Sequence, residues 1–340
     1  EKIAVIGAGS AGLTCAYYLA KRGYSVTVFE ALETPGGMLA VGIPGYRFNK
    51  RILRMEIEDI VALGVEIRTK TEVGKDIGFD EIKERYNAVF IAIGAGLSKK
   101  MRIEGEDGKG VISGLTFLQN VNLGVPIEIG ERIAVIGGGF CAMDSARQAR
   151  KLGASEVSLI CSRSKNEIVN PEEVITAENE GIKIESLTFL KRILVENGKV
   201  KGIECLKMRL TDFFDKDGKR IAEQIIGSEF VLDVDMVIIA IGRRVSSDFL
   251  EGKIELYPKG TIRTSNETLG TSLTGVFAGG DAVTGAATVI EAIAAGNRAG
   301  KGIDRYLNQG IDSEVIKRRK RQAIPTLMTT EKKVQSEKEG

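Results

Sequence analysis

Short, unbroken apolar runs punctuate this chain, and most of them end on glycine: KIAVIG at 2–7, YNAVFIAIG at 86–94, RIAVIG at 132–137 and DVDMVIIAIG at 233–242. Runs this short without polar alternation read as strands covered on both faces. Between them lie amphipathic stretches that read as helices: 10–22 closed by Gly23, about 50–63 ended by Gly64, 140–151 stopped by Gly153, and about 285–307. SVTVFE at 25–30 and the stretch 156–161 read as the strands that follow the first and third of these helices. Two strand–helix–strand units result, with their first glycines at 7 and 137. Residues 182–210 read as strands around an Asn197-Gly198 turn, and DKDGKR at 215–220 marks another hairpin tip.

The turns inside the two units carry the chemistry. AVIGAGSAGL at 4–13 and AVIGGGFCAM at 134–143 both have the strand–glycine turn–helix spacing of a dinucleotide fingerprint. The first glycine makes the tight turn, the second lets the backbone approach a pyrophosphate, and the third brings helix and strand close. The helix N-terminus then offers unpaired N–H groups and partial positive charge to the phosphates. In the first copy these positions are Gly7, Gly9 and Gly12, with Ala11 beside them, and Glu30 stands 18 positions after Gly12, where a carboxylate accepts ribose hydroxyls. In the second copy Gly137 and Gly139 lead into Phe140 and Cys141, and Ala142 replaces the third glycine. The strand after it ends not in an acid but in Cys161-Ser162-Arg163-Ser164. Arg163 suits a 2′-phosphate and Ser162 can hydrogen-bond it, which leans toward NADPH over NADH.

Composition narrows the picture. The 340 residues exceed the usual span of one hydrophobic core, so two domains are expected. Lys plus Arg 48 against Asp plus Glu 46 argues against nucleic acid or an anionic membrane as partner. No run nears 18 consecutive apolar residues and no secretory leader pattern opens the chain, so a soluble, cytoplasmic protein is expected. Glu1 stands almost directly on the first strand, as in a piece trimmed from something longer. Cys15, Cys141, Cys161 and Cys205 are scattered, with neither a C-x-x-C pair nor metal-ligand spacing, so no metal site is expected. Histidine is absent, which removes the usual general base. The chemistry must then come from a cofactor, and no catalytic acid or base side chain is identified.

Together, Gly7–Gly12 with Glu30, PGGMLAVGIPGYR at 35–47, VFIAIGA at 89–95, VIGGGFCAMDSAR at 135–147 and GVFAGGDAVTGAATVIEAIAAGNRAG at 275–300 resemble the NADPH-dependent glutamate synthase small-subunit family. Its relatives include flavin subunits of ferredoxin:NADP oxidoreductase and sulfide dehydrogenase. The resemblance runs to about residue 308 and implies an α/β protein with the two-dinucleotide-binding flavoprotein fold, made of two Rossmann-like domains. The FAD domain would comprise residues 1–108 and 262–310, the NAD(P) domain would be inserted at 109–261, and 311–340 would be a polar, basic tail. That order lets Glu30 and Asp281 reach one FAD.

The resemblance also assigns residues. Gly280 and Asp281 would lie at the ribityl and pyrophosphate, with Asp281 accepting a hydroxyl hydrogen bond. The helix starting near Ala287, Thr288 and Val289 would aim N–H groups at the flavin pyrimidine. Gly37, Met38 and the Ile43-Pro44 turn would line the isoalloxazine, and Gly242 would join the second fingerprint in holding NADPH or NADH.

Departures from the family matter too. Its usual Tyr-Arg-Arg run is Cys161-Ser162-Arg163 here, and its Met-Pro-Ala segment is Ile168-Val169-Asn170. One phosphate-pairing arginine is missing, a loss of about 1.5–3 kcal/mol that blunts the preference for NADPH or reverses it. The family's cysteine-rich, iron–sulfur N-terminal domain does not stand in these residues.

Two nucleotide sites imply hydride transfer from NAD(P)H to FAD. Electrons are then expected to pass to an iron–sulfur partner in a hetero-oligomer: a glutamate synthase large subunit, a ferredoxin, or a larger redox complex, bifurcating ones included. A thioredoxin-reductase-like dithiol relay lacks its C-x-x-C. A non-catalytic nucleotide-binding assembly module is the competing class. The basic run from Lys317 to Arg321 reads as a solvated extension, with docking to an acidic partner as the alternative.

Overall fold

The computed structural model describes residues 1–309 apart from Lys216, Asp217 and Lys219, so the basic run at Lys317–Arg321 lies outside the described residues. The described residues divide into two units: Glu1–Ala40, Asn49–Gly96 and those from Arg244 to 309 form unit 1, and Val41–Phe48 with Leu97–Arg243 form unit 2. Besides the segment 41–48, the units change at 96/97 and 243/244. Burial explains where these changes fall. Met101 and Ile103 pack on the unit 2 core around Ile193 and Ile203, whereas Leu250 and Ile254 are buried with Phe79 and Ile82 in the core of unit 1.

Each unit is built on a five-stranded sheet. In unit 1 the order is Val276–Ala278, Ala88–Ile91, Lys2–Ile6, Ser25–Phe29, Glu66–Arg68. In unit 2 it is Val111–Ser113, Met236–Ile239, Arg132–Ile136, Glu156–Ile160, Ile182–Glu185. All these pairings are parallel, and the registers correspond: Ile6 lies opposite Phe29 and Ile91, and Ile136 opposite Ile160 and Ile239. The twin runs at 86–94 and 233–242 thus hold the same place beside the first strand of each sheet. The outermost strand differs, coming from late in the chain in unit 1 and from early in unit 2's main segment.

Covering on both faces is why the strands read as continuous apolar runs. In strand Arg132–Ile136, Ile133 and Val135 pack on one side with Phe117 and Met143, from helices Gly114–Leu123 and Phe140–Lys151. Ala134 and Ile136 pack on the other with Leu190, Ile203 and Cys205 of an antiparallel layer. That layer is formed by Thr188–Glu196, Lys199–Phe214, Arg220–Gln224 and Phe230–Asp233. Its first hairpin turns at Asn197-Gly198, both with positive φ, 51° and 78°. In unit 1, helices Ser10–Ala20 and Val289–Leu307 pack against each other. The opposite face of that sheet carries Ala4, Ile6, Val89 and Ile91 against Phe79, Ile82 and Leu250.

Candidate functional site

In unit 1 the strand Lys2–Ile6 runs directly into Gly7, whose N–H donates to Phe29 O at 2.8 Å and whose φ is +103°. A Cβ at Gly12 would stand 1.9 Å from Gly7 O, so only glycine lets helix Ser10–Ala20 begin this close to the turn. Gly9 is the opposite case. It caps the helix in extended conformation without a side-chain bond, no acid stands in the first turn, and a Cβ there would meet only Gly37 Cα, at 4.0 Å. The result is a cradle bounded by backbone and a helix N-terminus, the shape and polarity a pyrophosphate needs.

Glu30 follows the second strand and is 7 % exposed. Its Oε2 accepts the Ala8 N–H at 2.8 Å and its Oε1 the Leu32 N–H at 2.9 Å. Burial pushes the carboxyl up, and those N–H donors pull against it. A carboxylate held on both oxygens retains lone pairs for ribose hydroxyls. The next loop lies along the fingerprint: Gly36 N–H donates to Ala8 O at 2.8 Å, and a Cβ at Gly37 would be 2.8 Å from Gly9 Cα. Met38 opens a one-turn helix, Met38–Val41.

The late motif returns to the same place. A Cβ at Gly280 would be 2.9 Å from the Ala11 methyl. Asp281 opens the short helix Asp281–Thr284 and accepts the Ala287 N–H at 3.2 Å. Thr288 and Glu291 form a capping box at the start of Val289–Leu307. Helix geometry leaves the N–H groups of Val289 and Ile290 without intrahelical acceptors. Gly7, Gly9, Ala11, Gly12, Glu30, Gly37, Met38, Gly280, Asp281, Ala287, Thr288 and Val289 all belong to unit 1, whereas Ile43 belongs to unit 2.

Unit 2 repeats the cradle with substitutions. Gly137 (φ +142°) donates its N–H to Ile160 O at 2.9 Å, and a Cβ there would be 2.4 Å from Ala240 O. Gly139 caps helix Phe140–Lys151 without a side-chain bond and has open space beside it. Ala142, at the third glycine position, is fully buried, so this helix stands far enough from the turn to admit a methyl group. Phe140 is exposed, and Cys141 is half-buried with its thiol pushed up to about 11 by burial. Ser162 and Arg163 are exposed at the end of the second strand. Gly242 follows the neighbouring strand and packs beside the Lys99 side chain. Both cradles fit a dinucleotide.

The cluster that sequence reasoning missed lies behind the second cradle. Tyr46 donates its hydroxyl to Asp144 Oδ1 at 2.6 Å, and Arg47 bonds the same oxygen through Nε. Arg47 also forks onto both oxygens of Glu173, at 2.6 and 2.7 Å. Arg147 and Lys151 lie over the Tyr46 ring, 4.5 and 4.0 Å from its centroid. Asp144, Arg147 and Lys151 recur at helical spacing on Phe140–Lys151, and that is the only local hint of the cluster. The segment 41–48 is thereby tied to the fingerprint helix of unit 2.

All four cysteines are free, and burial raises each thiol, including Cys205 to about 12. No group of His, Cys, Asp or Glu among the described residues is arranged to hold a metal ion, and no described helix is long and apolar enough to cross a membrane.

The chain is 48% identical over 320 residues to the NADP(+)-dependent formate dehydrogenase subunit beta of Moorella thermoacetica, covering 93% of this chain and 45% of that one. It is 40% identical to the NADPH-Fe(3+) oxidoreductase subunit beta of Geobacter sulfurreducens, covering 91% and 50%. The chain thus spans about half the length of these relatives. It is 35% identical to the glutamate synthase [NADPH] small chain of Escherichia coli, covering 90% and 69%. FprA from Mycobacterium tuberculosis, solved in complex with NADPH, shares the fold with a TM-score of 0.76 at 19% identity, over 91% of this chain and 84% of that one. Thioredoxin reductase from T. acidophilum does so at 0.68 and 20%, over 90% and 98%. The family model described as pyridine nucleotide-disulphide oxidoreductase matches residues 1–296, and the chain belongs to that family of FAD- and NAD(P)H-binding oxidoreductases, within its glutamate synthase small-chain group.

Proposed function

We propose that this chain transfers a hydride from NADPH, held at the fingerprint of unit 2, to FAD, held at that of unit 1, and delivers the electrons to an iron–sulfur centre. The observation that carries the reading is the paired cradle: the same order of four of the five strands, the same register and an uncapped helix N-terminus, built twice on one chain. FAD, when bound, supplies two-electron acceptance from a nicotinamide and one-electron release. The residues bind and orient. Glu30 accepts ribose hydroxyls, the helix starting at Ser10 faces the pyrophosphate, and Asp281 accepts a ribityl hydroxyl. The N–H groups at the start of Val289–Leu307 face the flavin's pyrimidine edge, where negative charge accumulates. On unit 2, Gly137, Gly139 and the start of Phe140–Lys151 hold the second pyrophosphate, and Arg163 pairs with the 2′-phosphate.

The scattered cysteines, their thiols raised by burial, oppose a dithiol relay. This supports one-electron delivery to a separate centre. Relatives named as beta subunits or small chains support a hetero-oligomeric setting, and all three of those compared carry NADP or NADPH in their names.

Anaerobic titration of the FAD-loaded chain with NADPH and, separately, NADH tests the reading through flavin absorbance. Bleaching by NADPH is the expected result. Bleaching by NADH alone would mean that the absent second arginine has reversed the preference. Bleaching by neither would overturn the hydride relay in favour of a nucleotide-binding assembly module.

A further inference from the structure

The chain leaves unit 1 after Ala40 and returns to it at Asn49, and each crossing is pinned on both sides. Before the first crossing, Leu39 O accepts a hydrogen bond from Lys50 Nζ, and just after it Val41 O accepts one from Asn122 Nδ2 at 2.9 Å. Lys50 also opens helix Lys50–Ala62 of the returning chain, which the Asn49 side chain caps. Residues 39–50 therefore form a strap closed at its base on unit 1, with its body on unit 2. The body ends in a tight turn, where Pro44 O accepts the N–H groups of Arg47 and Phe48 at 3.0 and 3.2 Å. That turn brings Tyr46 and Arg47 onto one stripe of helix Phe140–Lys151: Phe140, Asp144, Arg147 and Lys151. The Arg47 guanidinium carbon stands 5.6 Å from the Phe140 ring centroid, at the end of the helix that opens the second cradle.

We propose that Arg47 is a positioning residue for hydride transfer: by fastening the strap to the fingerprint helix of unit 2, it fixes the loop that carries Gly37, Met38 and Ile43. The proposal rests on reading that loop as the flavin's lining and the second fingerprint as the nicotinamide-nucleotide site. Arg47 takes no part in the bond changes. The hydride goes from NADPH, which is oxidised, to FAD, which is reduced, and the rate of such a step falls steeply when the reacting groups are misplaced. Gly36 and Gly37 both take positive φ, 118° and 54°, so the loop bends freely at its start and its course depends on where its far end is held. Two anchors flank Ile43 along the strap. Asn122 gives one neutral hydrogen bond to Val41 O, whereas Arg47 gives three charge-assisted ones, two to Glu173 and one to Asp144. Arg47 is therefore the stronger anchor.

The test uses the full chain loaded with FAD. Before any nicotinamide nucleotide is added, hydrogen–deuterium exchange reads the loop without turnover. The amides of Gly36 and Ala40, which donate to Ala8 O and Gly37 O, are expected to exchange about tenfold faster in Arg47→Met, with those of strand Lys2–Ile6 unchanged. Anaerobic stopped-flow reduction then reads the step, with NADPH, or with NADH where that alone reduces the unsubstituted protein. The limiting rate is expected to fall about tenfold or more in Arg47→Met, by a larger factor than the half-saturating nucleotide concentration rises. Arg47→Lys keeps the charge without the fork and is expected between the two in both readouts, and it decides alone where Arg47→Met does not fold. Unchanged exchange in the loop overturns the proposal. So does a full limiting rate with a raised half-saturation, which makes Arg47 a support for nucleotide binding only. Where neither nucleotide reduces the unsubstituted protein, the underlying reading fails and this proposal with it; where one does, the failure belongs to Arg47 alone.

Discussion

Arg47 grips Glu173 with both terminal nitrogens, at 2.6 and 2.7 Å, across 126 positions of sequence. Its Nε is given to Asp144, whose side chain is only 6% exposed. One arginine therefore satisfies two carboxylates and fixes the loop segment 41–48 on unit 2.

Replacing Arg47 by Met should leave Asp144 buried with Tyr46 as its main partner. A cost of about 3 kcal/mol is expected, because stranding a buried charge exceeds the net worth of the pair. Arg47→Lys keeps the charge but loses the fork, and should cost less. Thermal unfolding followed by circular dichroism checks both, and an unshifted midpoint for Arg47→Met would contradict the anchor.

Acid should weaken this anchor. The Arg47 guanidinium holds the Glu173 carboxyl below the usual carboxylate range. A carboxylate with a depressed folded pKa contributes its full stability above the unfolded value, about pH 4.3, and loses it as pH falls through the folded value. The midpoint difference between wild type and Glu173→Gln should be largest near neutrality and shrink as pH drops below about 4. A difference constant from neutrality down to pH 3 would show that the pair carries no such linkage.

The third glycine position separates the copies sterically. Gly12→Ala would drive a methyl group to 1.9 Å from Gly7 O, and backbone cannot yield there as a side-chain tip can. Loss of about 1–3 kcal/mol and of bound FAD is expected. Ala142→Gly should cost only about 1 kcal/mol, from helix propensity. Flavin content after gel filtration and unfolding midpoints read the contrast. Equal behaviour of the two variants would mean that the helix of unit 1 stands farther off than described.

Glu30→Gln tests the ribose role. The amide keeps one acceptor oxygen and turns an NH₂ toward the N–H of Ala8 or Leu32. FAD affinity should fall about tenfold or more, with a lower unfolding midpoint for the flavin-free protein. Retention of FAD at wild-type affinity, by fluorescence titration, would take Glu30 out of the site.

What the sequence determined by itself was local. Glycine turns between apolar strands and amphipathic helices were legible because a strand, a tight turn and a helix start are each set within a few residues, and this chain carries that pattern twice. The Asn197-Gly198 hairpin was legible for the same reason. What only the tertiary structure decided depends on which distant surfaces meet. It drew segment 41–48 to unit 2, since nothing local announces that Tyr46 and Arg47 find Asp144 and Glu173. It set unit changes at 96/97 and 243/244, because the packing of Met101 and Leu250 follows the cores rather than chain order. It also fixed the register that puts Glu30 and Cys161 each beside a glycine turn, since register is set by packing across strands and not by any one strand's residues.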